Sequence, residues 1–63
     1  MTIIHTLQKQ TEDRMSTWRF VETPDGTYCS IGGNYKIISY RSKAAMEKSY
    51  AWFLSKGFTV AAA

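Results

Sequence analysis

Sixty-three residues make one small domain, and a chain of this size buries only about 60% of the surface its unfolded form exposes, so its core is thin and its stability marginal. One cysteine excludes an internal disulfide, and one histidine, that cysteine and five acidic residues show no clustering that would let a structural metal replace it. Eight Lys and Arg against five Asp and Glu give a net charge of +3, which admits an acidic protein surface or nucleic acid as partner and argues against nucleic-acid mimicry, which needs a strongly acidic chain.

No apolar run approaches the roughly 20 residues needed to cross a bilayer, so no membrane partner is expected. The N-terminus lacks the basic region, apolar core and cleavage site of a secretion signal. With a lone Cys29 suited to a reducing compartment, the expected location is cytoplasmic. Cys29 itself reads as a small core hydrophobe within a strand, not as a reactive thiol.

In chain order, residues 1–16 read as an N-terminal arm or short helix, and residues 17–63 as a single α+β domain. Ile3, Ile4 and Leu7 form a short apolar cluster, after which the chain turns polar from Gln8 to Arg14; this composition shift marks a segment that the fold could dispense with. His5 stands without partners and is expected to be solvated.

From Thr17 to Glu22 the chain is rich in β-branched and aromatic residues, as a strand requires. Thr23-Pro24-Asp25-Gly26 follows: proline presets the second turn position, Asp25 tolerates the third, and Gly26 can take positive φ. Together they predict a type I turn with a glycine bulge closing a hairpin. Residues 27–31 form the returning strand, Gly32-Gly33-Asn34 a second break, and residues 35–40 a third strand.

Pairing Thr23 with Thr27 sets Glu22 against Tyr28, Val21 against Cys29 and Phe20 against Ser30. Period-two alternation then gives one face with Val21, Cys29, Ile31 and Arg19, and another with Trp18, Phe20 and Tyr28. The smaller aliphatic set is the easier seat for a helix and the aromatic set is then left open, although the reverse assignment is also compatible with the pattern.

The helix itself is the clearest element. Ser42 is a good N-cap, Gly57 can close the C-terminus in a left-handed conformation, and the residues between are mostly good helix formers. Met46, Tyr50, Phe53 and Leu54 share one face and are expected to go into the core. Trp52 lies nearly opposite Tyr50, with Lys48 and Lys56 one turn to either side. It is either covered by the N-terminal segment or by a second copy of the chain, or it is an exposed anchor for a partner. Phe58-Thr59-Val60 reads as a short final strand. The expected architecture is therefore a three-stranded antiparallel sheet packed by one C-terminal helix, in the order β-β-β-α with a short fourth strand.

Catalytic and metal constellations are missing from the sequence: it has no glycine-rich phosphate loop, no cysteine pair, no histidine beside a nucleophile and no convergent carboxylates. The expectation is a non-enzymatic binding protein without a cofactor. Two binding surfaces suggest themselves. A protein partner would meet Trp52, Lys48 and Lys56, together with Trp18, Phe20 and Tyr28 if the aromatic face is open. DNA would meet Arg19, Lys36, Arg41 and Lys43, cations on phosphates with aromatics packing on sugars or bases.

Two resemblances attach to these residues. Trp18-Arg19-Phe20, the glycine-closed hairpin, Tyr40 and Ser42-Lys43-x-Ala45 opening a helix resemble the three-stranded-sheet-plus-helix DNA-binding domain of phage-type tyrosine recombinases and plant ethylene-response factors. That resemblance spans roughly residues 17 to 56 and implies an exposed sheet face entering the major groove. The strands here carry fewer arginines than that family uses. The run from Tyr50 to Val60, with Trp52 and Gly57-Phe58-x-Val60, together with Trp18 and Val21-Glu22, is similar in layout to small early phage proteins that inhibit bacterial RNA polymerase. That family is acidic along the helix where this chain is basic. The likeness implies a phage or mobile-element protein that docks on a host protein as inhibitor or adaptor, with DNA binding as the alternative.

Overall fold

A computed structural model gives the chain as β1 (Thr2–Gln10), β2 (Met15–Glu22), β3 (Tyr28–Gly32), β4 (Ile37–Tyr40), α1 (Lys43–Ser55) and β5 (Thr59–Val60), and residues 1–33 and 35–61 are described. The Pro-Asp-Gly turn sets the register from which the sheet grows. Thr23 N–H donates to the Thr27 carbonyl at 2.9 Å, Gly26 N–H to the Thr23 carbonyl at 3.0 Å, and Gly26 sits at φ +86°. The Asp25 carboxylate accepts from the hydroxyls of Thr23 and Thr27 and from the Thr27 N–H. The Thr23 hydroxyl first, then Thr27, hold its pKa below the usual carboxylate range. Beyond this turn β2 and β3 pair Glu22 with Tyr28, Val21 with Cys29 and Phe20 with Ser30, as the sequence predicts.

The sheet is antiparallel with five strands in the order β4-β3-β2-β1-β5. It is therefore larger than the expected three strands plus a short fourth, and the difference lies in the N-terminal segment. Residues expected to form an arm or short helix are instead a nine-residue strand lying between β2 and β5. Of the polar stretch that suggested a frayed arm, Gln8 lies with Thr6 on the side of this strand away from α1, alternating with Leu7, which is fully buried, and residues 11–14 form the connection to β2. A bulge between Ile3 and His5 shifts the register of β1 on β2. The expected final strand is shorter than the sequence suggested, Thr59–Val60, and pairs with β1 at Gln8 and Leu7.

The faces sort in the opposite sense from the preferred reading. Helix α1 covers the aromatic face, so Trp18, Phe20 and Tyr28 lie beneath it with Leu7, Met46 and Phe53. The register of β2 and β3 was predicted correctly; β1 decides which side is covered. It places Leu7 opposite Trp18 and His5 opposite Phe20 on the aromatic side, and Thr6 and Gln8 beside Arg19 and Thr17 on the other. Covering the aromatic side buries more apolar surface and leaves polar groups wet.

The helix is capped as expected. The Ser42 hydroxyl accepts from Ala45 N–H at 3.2 Å, and at the other end Gly57 at φ +97° donates to the Leu54 carbonyl at 3.2 Å. Met46 and Phe53 are buried and Tyr50 half-buried, but Leu54, expected in the core stripe, is 39% exposed. Below α1 a hydroxyl chain runs from Ser30 to Tyr40 at 2.8 Å and from Tyr40 to Ser49 at 2.7 Å, which satisfies the fully buried Ser30. Cys29, expected in the core, is half-buried on the face away from α1.

His5 is likewise not the solvated side chain expected of a frayed arm. Its ring stacks on Tyr50 at 3.8 Å between centroids, meets Phe20 edge-on, and its Nε2 lies 3.0 Å from Glu47 Oε1. The pair fastens β1 to α1 across the covered face. Asn34, the third residue of the expected Gly32-Gly33-Asn34 break, lies outside the described residues.

Candidate functional site

Trp52 is carried on the solvent side of α1 and is 56% exposed. Its position follows from helical phase: Phe53, its neighbour, is the deepest residue of the last turns at 6% exposure, so Trp52 is turned away from the sheet. The ring is nevertheless held. It meets Phe53 edge-on at 5.2 Å and 90°, and Lys56 Nζ lies over the ring, 5.6 Å from its centroid. Lys48 is exposed one turn earlier on the same side. The N-terminal segment does not cover Trp52, because it is committed to the sheet as β1.

The remaining expected protein contacts do not join this surface. Trp18, half-buried, packs against Phe53 from below at 5.1 Å; Phe20 is fully buried; and Tyr28 is half-buried on the same underside. Of the expected group, Trp52, Lys48 and Lys56 alone share a solvent-facing surface.

The residues expected to meet DNA are dispersed. Arg19 is exposed on the sheet face away from α1. Lys36 and Arg41 lie just beyond opposite ends of β4, and Lys43 opens the helix. At about 3.3 Å per residue, Lys36 and Arg41 are some 16 Å apart along the strand. Among the described strand residues, Arg19 is the one cation on the bare face, since Lys9 turns toward the helix side, with its Nζ 5.8 Å from the Phe58 ring and donating to the Lys56 carbonyl at 2.8 Å.

A second feature, concave, has no counterpart in the sequence analysis, because three of the residues lining it, Arg14, Met15 and Ser16, lie in the segment expected to be an arm or short helix. Beyond the end of the β2–β3 ladder lies a cleft of about 270 Å³, edged by Arg14 from the β1–β2 turn and Lys36 from the β3–β4 turn, with Ser16, Thr17, Trp18 and Gly33 among its lining residues. The turn carrying Lys36 is closed by Gly32 N–H on the Lys36 carbonyl at 2.8 Å and by Tyr35 N–H on the Gly32 carbonyl at 3.1 Å. Tyr35 sits there at φ 60° and 91% exposed, a conformation that a non-glycine residue adopts at a cost of about 1 kcal/mol or more. No sequence signal distinguishes Arg14 from any other surface arginine; only the register of β2 brings it to the cleft.

Among the described residues no three metal-ligating side chains come together, and no helix is long and apolar enough to cross a membrane. No protein-family model, curated protein or solved structure matches the chain, so the reading of its surfaces rests on its own residues.

Proposed function

We propose that the chain is a non-enzymatic binding protein that docks on another protein, as inhibitor or adaptor, with Trp52 as the anchor and Lys48 and Lys56 as its cationic rim. The observation that carries this reading is the held but exposed indole: 56% of Trp52 faces solvent while Phe53 backs its ring and Lys56 stands over it. A side chain already ordered in the free protein loses little rotamer freedom on binding, and tryptophan in such a position is among the residues that dominate interface energies. The two lysines favour an acidic partner surface.

DNA binding through the bare sheet face is supported less well, because the strands put a single arginine there and the other candidate cations lie at separate places. The two readings separate experimentally. In a pull-down from bacterial lysate with nuclease present, the tagged chain retains a stoichiometric protein band at moderate salt. Trp52→Ala loses the band while its circular dichroism melt stays that of the parent. If Trp52→Ala melts the domain, Trp52 is structural and the anchor reading fails. If the captured material is nucleic acid and disappears with salt, as counterion release demands, the DNA reading replaces it.

A further inference from the structure

The ladder between β2 and β3 ends at the pair Trp18 and Gly32, while β2 runs back through Thr17 and Ser16 to Met15 paired with β1 alone. The chain beyond Gly32 turns away into the β3–β4 connection instead of continuing alongside. The cleft occupies the place a continuing β3 would take. Its floor is a strand edge, and an atom at the position of a Gly33 Cβ would lie 3.9 Å from the Thr17 carbonyl oxygen. The Thr17 acceptor therefore faces the cleft, and the missing side chain of Gly33 leaves the approach to it open.

Two requirements on a ligand follow from the lining. Arg14 and Lys36 are its charged residues, and no Asp or Glu lines it, so an anionic group is favoured. Asp13 approaches Arg14 at 3.9 Å, but both side chains are well exposed, and such a loose surface pair competes poorly with a better-placed anion. The Thr17 carbonyl asks for an N–H donor as well. A bare inorganic anion meets only the first requirement. An extended peptide meets both, since its backbone can add to a strand edge while a carboxylate reaches the cations. The volume, about 270 Å³, lies just below the usual range of small-molecule sites, enough for the end or one side chain of such a segment.

We propose that this cleft receives the carboxylate of an extended peptide, laid along the unpaired edge of β2 with a backbone N–H on the Thr17 carbonyl and the carboxylate between Arg14 and Lys36. The carboxylate is either the peptide's C-terminus or an Asp or Glu side chain. The site stands apart from the Trp52 anchor, which contributes nothing to its lining, and each can fail without the other.

Trp18 lines the cleft and reports on it once Trp52→Phe makes it the sole indole. In that background the probes are a short acetylated Thr/Val peptide with a free C-terminus, the same peptide amidated, an amidated version ending in Glu, and inorganic phosphate. A saturable change in Trp18 emission is expected with one or both acid-bearing peptides, and the better of the two identifies the source of the carboxylate. The acid-free amide and phosphate bind about tenfold or more weakly, as the loss of a hydrogen bond to a charged group predicts. Arg14→Gln and Lys36→Gln each weaken the peptide by a similar factor, and Gly33→Val blocks it with both cations in place. Should Gly33→Val unfold, the two glutamine variants at exposed positions carry the test. The proposal is overturned by equal binding of the acid-free amide, by phosphate matching the peptides, by indifference to both glutamine variants, or by no saturable response.

Discussion

On the helix side of β2, Phe20 is fully buried beneath α1; one residue along, Val21 points to the other side and is 1% exposed with no described element laid over it. The two are equally dry by different means. Phe20 is sealed by a second layer, with Phe53 at 5.6 Å and Tyr50 at 5.9 Å meeting it edge-on. Val21 lies between its cross-strand partners Ile3 and Cys29, and a small β-branched side chain in mid-sheet can be covered by neighbours within one layer. Toward the margins of the bare face that shelter ends: Ile3 is 57% exposed and Ile37 64%. A core built from one helix on one sheet thus concentrates its stability on a single face and leaves the other available.

The largest effect is expected where the two layers meet. Phe53→Ala removes the residue that touches Phe20, Trp18 and Phe58, and should cost about 3 to 5 kcal/mol. At 0.05 to 0.15 kcal/mol per residue, a chain of this length has roughly 3 to 9 kcal/mol in all, so the variant should lose about a third or more of its stability, read as a large drop in the urea midpoint. Leu7→Ala should cost about 2 to 5 kcal/mol on the same grounds. A folded, unperturbed Leu7→Ala would mean that β1 contributes little and that the N-terminal segment is dispensable after all.

That second variant bears on what the sequence could reveal. The hairpin register was legible because Pro24-Asp25-Gly26 and the β-branched and aromatic runs beside it point the same way, and the helix because Ser42 and Gly57 mark both its ends. Strand β1 was not legible. Its alternation of Thr6, Leu7, Gln8 and Lys9 offers one strong apolar residue against three polar ones, and its membership of the sheet depends on pairing with a strand that starts only at Met15. The same omission concealed the side the helix takes, since β1 breaks the tie between the aliphatic and aromatic faces. It also concealed the cleft, which Arg14 of the β1–β2 connection and Met15 and Ser16 at the start of β2 help to line. The side of α1 that carries Trp52, by contrast, was legible from helical phase alone, but whether the N-terminal segment covers it was not, since that depended on where β1 goes.

A smaller loss is expected from Val21→Ala. Removing two buried carbons is worth about 1.6 kcal/mol at 0.8 kcal/mol each, and the neighbours on an uncovered face can settle partly into the space. Urea unfolding should therefore show a lower midpoint with an unchanged slope, and a loss well under that of Phe53→Ala. A loss equal to that of Phe53→Ala would mean that the bare face carries as much of the core as the covered one.

The smallest effect is expected from Ile37→Thr. The side chain is already mostly in water, threonine keeps the β-branched shape that suits a strand, and surface changes of this kind usually lie within about 0.5 kcal/mol. The informative version of the experiment measures the melting temperature of parent and variant at two well-separated protein concentrations. If the bare face is free in solution, neither melting temperature depends on concentration and the two differ little. A parent whose melting temperature rises with concentration, and a variant that loses that rise, would instead show a second copy lying on Ile37, because association stabilises only the folded state and does so by mass action. The bare face would then be an interface between copies, and the contrast between Phe20 and Val21 would disappear in the dimer, each being sealed by a layer of its own.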